Sequence, residues 1–139
     1  MLDLAAVVPV AQGYIAEAKL QDRVDAVAGD FFRDPLPPSD LYGMGRILHD
    51  WSDEKVSIQL KKVRDALPAG GALLICEKIL NPLKDGPTSA MLQSLNMLVC
   101  TEGRERSAAE YEALCEAAGF SRFESKLTGR GVDAMLATR

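Results

Sequence analysis

The sequence predicts one α/β domain built on a mostly parallel sheet, covered by helices on both faces and closed by an antiparallel end. Three observations carry this. Short apolar segments alternate with longer segments of helical periodicity, as in chains of strand-helix-strand units. The last two apolar segments, Arg122 to Leu127 and Val132 to Ala137, are separated only by Thr128-Gly129-Arg130-Gly131, which makes a hairpin. The length of 139 residues, with 47% hydrophobic and 26% charged residues, is that of one ordinary domain with a single core.

The elements follow in order. Met1 to Asp3 reads as the tail of a strand, and Leu4 to Leu20, rich in Ala and Val, as a helix whose start Pro9 restricts. Val24 to Ala28 is a short buried strand ending at Gly29-Asp30, and Arg33 to Ser39, with three prolines, is a loop. Asp40 to Leu48 is an apolar strand that leads to His49, the only histidine of the chain. Ser52-Asp53-Glu54 then opens a helix with acidic residues in its first turn, and Val56, Leu60, Val63 and Leu67 fall on one face of it. Pro68-Ala69-Gly70-Gly71 stops that helix before a strand over Ala72 to Ile79. After a polar turn from Asn81 to Pro87, the spacing of Met91, Leu92, Leu95, Leu98 and Val99 predicts a helix whose stripe packs in the core. Ser107-Ala108-Ala109-Glu110 is a capping box, and the helix it starts carries Tyr111, Leu114, Cys115 and Ala118 on one face and stops at Gly119.

Several function classes are excluded by composition. A net charge of -4 with scattered basic residues gives no footprint for nucleic acid, and no apolar run is long enough to span a bilayer. Cys76, Cys100 and Cys115 form no Cys-x-x-Cys pair, and their odd number argues against a disulfide framework. They read as three reduced thiols of a cytosolic protein, with small buried hydrophobes as the default role.

The candidate chemistry centres on His49. A neutral-pH base where a strand hands over to a helix lies at the carboxyl edge of the sheet, where ligands of open α/β folds bind; the competing role is a local structural hydrogen bond. Glu77 stands out because it ends an otherwise apolar strand, whereas Glu105, between Arg104 and Arg106, reads equally as part of a salt-bridged loop. Asp50 suits either orientation of the histidine or capping of the next helix. No His/Cys cluster or grouped carboxylate run has metal-ligand spacing, so a metal-free site is expected. Phe31 and Phe32 by themselves read as core or loop anchors.

The segments GDFF (29–32), DPLP (34–37), RILHDW (46–51), SLNMLVCTEGRER (94–106) and the ending GVDAMLATR resemble, in unchanged order over essentially the whole chain, the S-adenosylmethionine-dependent small-molecule O-methyltransferases. The resemblance implies a partial Rossmann-like methyltransferase sheet with flanking helices and a C-terminal antiparallel hairpin. It makes His49 the general base that takes a proton from a substrate hydroxyl, with Glu77 and Glu105 orienting the imidazole and Asp50 beside it. It implies S-adenosyl-L-methionine as cofactor, with Asp3 on the ribose hydroxyls, Gly29, Asp30 and Phe31 along the adenine, and Arg46 near the carboxylate end. Asn96, Met97 and Cys100 would face a small aromatic hydroxyl substrate, Cys100 standing where related enzymes carry glutamine.

The resemblance also implies what precedes Asp3 in such enzymes, namely a helical dimerisation domain, a first strand and a glycine-rich turn. The 139 residues are therefore expected to be the catalytic domain without those parts, with unpaired strand edges where the first strand would lie. Three readings follow: a piece of an active enzyme that is a homodimer in the family, a chain completed by a partner, or a non-catalytic methyltransferase-like binding module.

Overall fold

The computed structural model describes residues 1–139 as two compact units, residues 1–37 and 38–139. In the first unit, strands β1 (Leu2–Asp3) and β2 (Val27–Ala28) form a two-stranded parallel sheet joined by helix α1 (Val8–Glu17). The helix is shorter than the predicted Leu4 to Leu20, because Pro9 sits in its first turn and no side chain caps it at Val7. Strand β2 likewise covers only the end of the predicted Val24 to Ala28, and the expected burial is not found there, since Val27 and Ala28 are both exposed.

The second unit is built on a four-stranded sheet in the order β3 (Leu41–Gly45), β4 (Ala72–Glu77), β8 (Asp133–Thr138) and β7 (Arg122–Lys126). β3 and β4 are parallel, with Leu41 opposite Ala72, and β8 runs antiparallel to both β4 and β7. The predicted C-terminal hairpin is therefore present, and β3 forms one edge of the sheet. Helices α2 (Asp53–Ala66) and α4 (Ala108–Ala118) pack on each other and on the sheet. They cover the face that carries Leu73, Ile75, Met135 and Ala137, all buried, and supply Val56, Leu60, Val63, Tyr111 and Cys115. Each such aliphatic side chain contributes about 1.5–3 kcal/mol relative to exposure. The opposite face, with Leu74 half-buried and Leu136 38% exposed, is less covered, so the expectation of two well-covered faces holds for one.

Local chemistry accounts for the helix limits. Ser52 caps α2 by accepting from the Lys55 N–H, with Asp53 and Glu54 in the first turn. Both arms of the capping box form at α4: the Ser107 hydroxyl accepts from Glu110 N–H, and the Glu110 carboxylate accepts from Ser107 N–H. Gly119 ends α4 at φ 95°, a left-handed conformation that favours glycine.

Three further expectations are corrected. The predicted strand through Ile79 breaks after Glu77, and Ile79–Leu80 form a separate strand β5, parallel to β6 (Arg106–Ser107). The predicted strand to Leu48 ends at Gly45, and Leu48–Asp50 form a 3-10 turn. Helix α3 (Thr88–Cys100) forms where predicted, but Leu92, Leu95, Leu98 and Val99 lie exposed and its buried contacts come from Ala90 and Met97. Periodicity reported an apolar face correctly and its burial wrongly. All three cysteines are free; Cys115 is buried as expected, while Cys76 is half-buried and Cys100 exposed.

Candidate active site

The turn that carries His49 owes its shape to side chains far away in sequence. Alternation along β4 places Leu73, Ile75 and Glu77 on the same buried face, so the last of them sends a carboxylate into the interior. Glu77 Oε1 accepts the backbone N–H groups of Ile47 and Leu48, each at 2.9 Å. These charge-assisted bonds offset part of the cost of burying the carboxylate. Immediately before, Arg46 adopts φ 55° while its N–H still donates to Cys76 O at 3.0 Å. A non-glycine residue held in that region is a local strain that the surrounding bonds maintain.

His49 is 3% exposed, and its Nδ1 lies 2.7 Å from Glu105 Oε1 and 3.5 Å from Glu77 Oε2. An ionised carboxylate only accepts, so Nδ1 carries the proton and donates to Glu105. The lone pair of the neutral ring is then on Nε2, whose ionic neighbour is Asp50 Oδ1 at 3.6 Å. Burial disfavours the imidazolium, but the Glu105 hydrogen bond and the charges of Glu77, Glu105 and Asp50 outweigh it and raise the His49 pKa above its ordinary value. Burial pushes the Glu77 carboxyl up to about 6, with Glu105 adding to the rise and His49 and the two backbone N–H groups opposing it. One oxygen each of Glu77 and Glu105 is buried without a hydrogen-bond partner, so the pair retains acceptor capacity for a proton.

The far side of the turn is formed by the segment from Thr101 to Ser107. Glu102 N–H reaches Asp50 O at 3.4 Å, and the Glu102 carboxylate accepts from Ser52 N–H at 3.3 Å and pairs with Lys55. Gly103 lies so close that a Cβ there would strike His49 O, Trp51 N and Asp50 C. Arg106, completely buried, donates to Leu48 O at 3.0 Å, Trp51 O at 2.9 Å and Asp53 Oδ1 at 2.6 Å. Arg104 bridges the starts of α2 and α4 through Asp53 at 3.0 Å and Glu110 at 2.7 Å. Although burial disfavours its charge, Glu110 is held down to about 2 by Lys84, Ser107 N–H and Arg104. Glu105 is thus no loop surface charge, since the salt bridges around it belong to its two neighbours.

Of the residues singled out from sequence, His49, Asp50, Glu77 and Glu105 are brought together. Their convergence also gives a His and two carboxylates whose ligating atoms lie within 4.8 Å, a grouping invisible in linear spacing because three segments supply it. The helix cap expected as one role of Asp50 is taken by Ser52. Helix α3 packs beside the turn. On it Met97 is buried, while Asn96 and Cys100 are exposed and share a contact of 3.6 Å from Sγ to Oδ1. Arg46 is exposed next to β3.

In the first unit, Asp3 ends β1 and Gly29-Asp30 follow β2, which places both acids at neighbouring carboxyl ends of parallel strands. Gly29 N–H donates to Asp3 O at 2.9 Å, and a Cβ on Gly29 would meet Leu2 Cδ1 at 2.7 Å. Asp3 Oδ1 accepts Leu4 N–H and Asp30 Oδ1 accepts Phe32 N–H, which leaves a second oxygen of Asp3 for a diol. The half-buried Phe31 stacks obliquely on Phe32 with ring centroids 4.9 Å apart. Strand end, acid and aromatic ring together fit a nucleoside in kind. Sequence reasoning missed Arg106 and Gly103 as parts of the site; the only signal was their presence in the GRER segment.

Residues 1–121 match the model of the O-methyltransferase domain family. The chain is 49% identical to acetylserotonin O-methyltransferase of Mus musculus over 119 residues, 86% of this chain and 31% of that protein. It is 43% identical to the Bos taurus acetylserotonin O-methyltransferase over 139 residues, all of this chain and 40% of that one. The crystal structure of human N-acetylserotonin methyltransferase in complex with SAM superposes with a TM-score of 0.94 at 41% identity, covering 99% of this chain and 39% of the human one. The chain thus spans about a third to two fifths of the length of these relatives. Its fold is that of the S-adenosylmethionine-dependent methyltransferases, and the chain belongs to the O-methyltransferase domain family.

Proposed function

We propose that these residues form the catalytic part of an S-adenosyl-L-methionine-dependent O-methyltransferase that methylates a hydroxyl of a small aromatic acceptor, with His49 as general base. The observation that carries the reading is the Nδ1 to Glu105 contact of 2.7 Å, which reserves Nε2 for the substrate proton. When bound, the sulfonium cofactor supplies an electrophilic methyl group and leaves as the thioether. As the acceptor oxygen bonds the methyl carbon, the carbon-sulfur bond breaks with its pair going to sulfur, and His49 Nε2 takes the hydroxyl proton. Glu105 and Glu77 stabilise the imidazolium so formed, at 2.7 and 3.5 Å from Nδ1. Asp50, 3.6 Å from Nε2, adds its charge in favour of the imidazolium once Nε2 carries the proton.

Asp3, Gly29, Asp30 and Phe31 hold the nucleoside in this reading, Arg46 faces the amino-acid carboxylate, and Asn96, Met97 and Cys100 contact the acceptor. Alignment of the hydroxyl with the methyl group supplies much of the rate, because little other chemistry is required of the protein. The test is calorimetric titration with S-adenosylhomocysteine together with methyl transfer to a panel of small phenolic and hydroxyindole compounds. His49→Ala is expected to bind the nucleoside as before and to lose methyl transfer at least about 100-fold, the scale of a missing general base. Unchanged turnover in that variant removes His49 from the role, and nucleoside binding without turnover in the native chain favours the non-catalytic binding module.

A further inference from the structure

Arg106 is a charged side chain with zero exposure, and the reaction proposed above gives it no work. Its reach goes to the turn around His49, to the start of α2 and to its own segment, with Tyr111 under its face at 5.8 Å. Nη1 donates to Leu48 O at 3.0 Å and Arg104 O at 3.3 Å, and Nη2 donates to Trp51 O at 2.9 Å. Nε and Nη2 both hold Asp53 Oδ1, at 2.9 and 2.6 Å. The carbonyls of Leu48 and Trp51 flank the dipeptide His49-Asp50, whereas the N–H groups of Ile47 and Leu48 are taken by Glu77. An anion therefore grips the amide donors of the turn and a cation grips its carbonyl acceptors.

We propose that Arg106 is a positioning residue for His49, its buried guanidinium fixing the carbonyls on either side of the histidine so that Nδ1 stays on Glu105. The proposal rests on the reading of His49 as base for its functional meaning, and on geometry alone for the positioning. The planar fork with five donors reaches three carbonyls and a carboxylate at once, which the point charge of lysine does not. Parallel pairing of Ile79 with Arg106 ties this residue to the strand just beyond Glu77, so the two halves of the grip share one frame. Gly103 completes it, since any side chain there would displace the backbone of His49 to Trp51.

His49 is the only histidine, so its ring nitrogens give a single set of NMR signals. The charged groups that face it are Glu77 from β4, Glu105 from the segment before β6 and Asp50 from its own turn, with the Arg106-Asp53 pair behind. In Arg106→Lys, the expected result is an amide spectrum that keeps its folded dispersion while the ring loses its single-tautomer nitrogen pattern and its titration midpoint falls. A folded Arg106→Lys protein with native tautomer and midpoint overturns the proposal. If that variant does not fold, Asp53→Asn decides, because at a half-exposed position it removes the carboxylate that Arg106 shares with Arg104 and leaves both guanidinium groups in place. A mixed tautomer there supports positioning, and a native ring pattern overturns it. The readout is the imidazole itself, so failure of His49→Ala to affect turnover would strike the catalytic reading and leave this one standing.

Discussion

Replacing Glu77 by glutamine separates what this carboxylate does for the fold from what it does for the proposed chemistry. The unfolded carboxyl titrates near 4.5 and the folded one at about 6. Between those values the folded chain holds the extra proton, so this group makes the protein more stable as pH falls from above 6 to below 4.5. Above pH 6 the ionised group costs about 2 kcal/mol relative to its neutral form in the same place. Glutamine keeps an oxygen for the N–H groups of Ile47 and Leu48 and deletes the charge. The shift to about 6 already includes the opposing attraction of His49, so the reduction comes from the weaker amide-to-backbone bonds, and the net gain expected for Glu77→Gln is about 1–2 kcal/mol near pH 8 and close to none below pH 4.5. The assay is urea unfolding followed by the fluorescence of Trp51, the only tryptophan, at both pH values. Methyl transfer by the same variant is expected to fall, a stability gain bought with activity. A variant that is less stable than the native chain near pH 8, or whose difference is the same at both pH values, refutes the reasoning.

Two further outcomes can be checked together. Glu105→Gln exchanges a charge-assisted hydrogen bond on Nδ1 for a neutral one, a loss of about 1–1.5 kcal/mol that corresponds to roughly a 5- to 13-fold fall in kcat; because the Glu105 bond and charge help raise the His49 pKa, the rising limb of kcat against pH should also move to lower pH. Nucleoside binding is expected to be unaffected, as calorimetry would register. Iodoacetamide with mass-spectrometric mapping should label exposed Cys100 in the native chain and reach Cys115 only on unfolding, since burial pushes the Cys115 thiol up to about 12 and away from the reactive thiolate.

Much of the fold was legible because its signals are local. Ser52 and Ser107 announce their helices by the residue types that satisfy free N–H groups, and both caps form. Glu77 was visible as a charge in an apolar strand, and its strand alternation sends it where the site needs it. What stayed hidden depends on contacts between distant segments. Two-residue strands such as β5 and β6 have no period of their own, and only pairing defines them. Arg106 looks like one more basic residue in a mixed-charge loop, since arginine is ordinarily exposed, and nothing in the sequence tells that Leu48, Trp51 and Asp53 will surround it. The α3 stripe failed for the converse reason: spacing defines which residues share a face, not what lies against it.

The grip on the His49 turn also fixes when the site can exist during folding. Its stabilising bonds span 29 and 30 residues to Glu77, 56 to Glu105 and 58 to Arg106. Helices α2 and α4 can begin to form from their own caps, but the turn has no comparable local source of order. Each of these closures must be made against the entropy of a long loop, so the histidine acquires its geometry only after β4 and β6 have docked. A nascent or partly unfolded chain therefore carries every residue of the proposed base without its raised basicity or fixed tautomer, and the arrival of the folded His49 signal in a refolding experiment marks completion of the second unit.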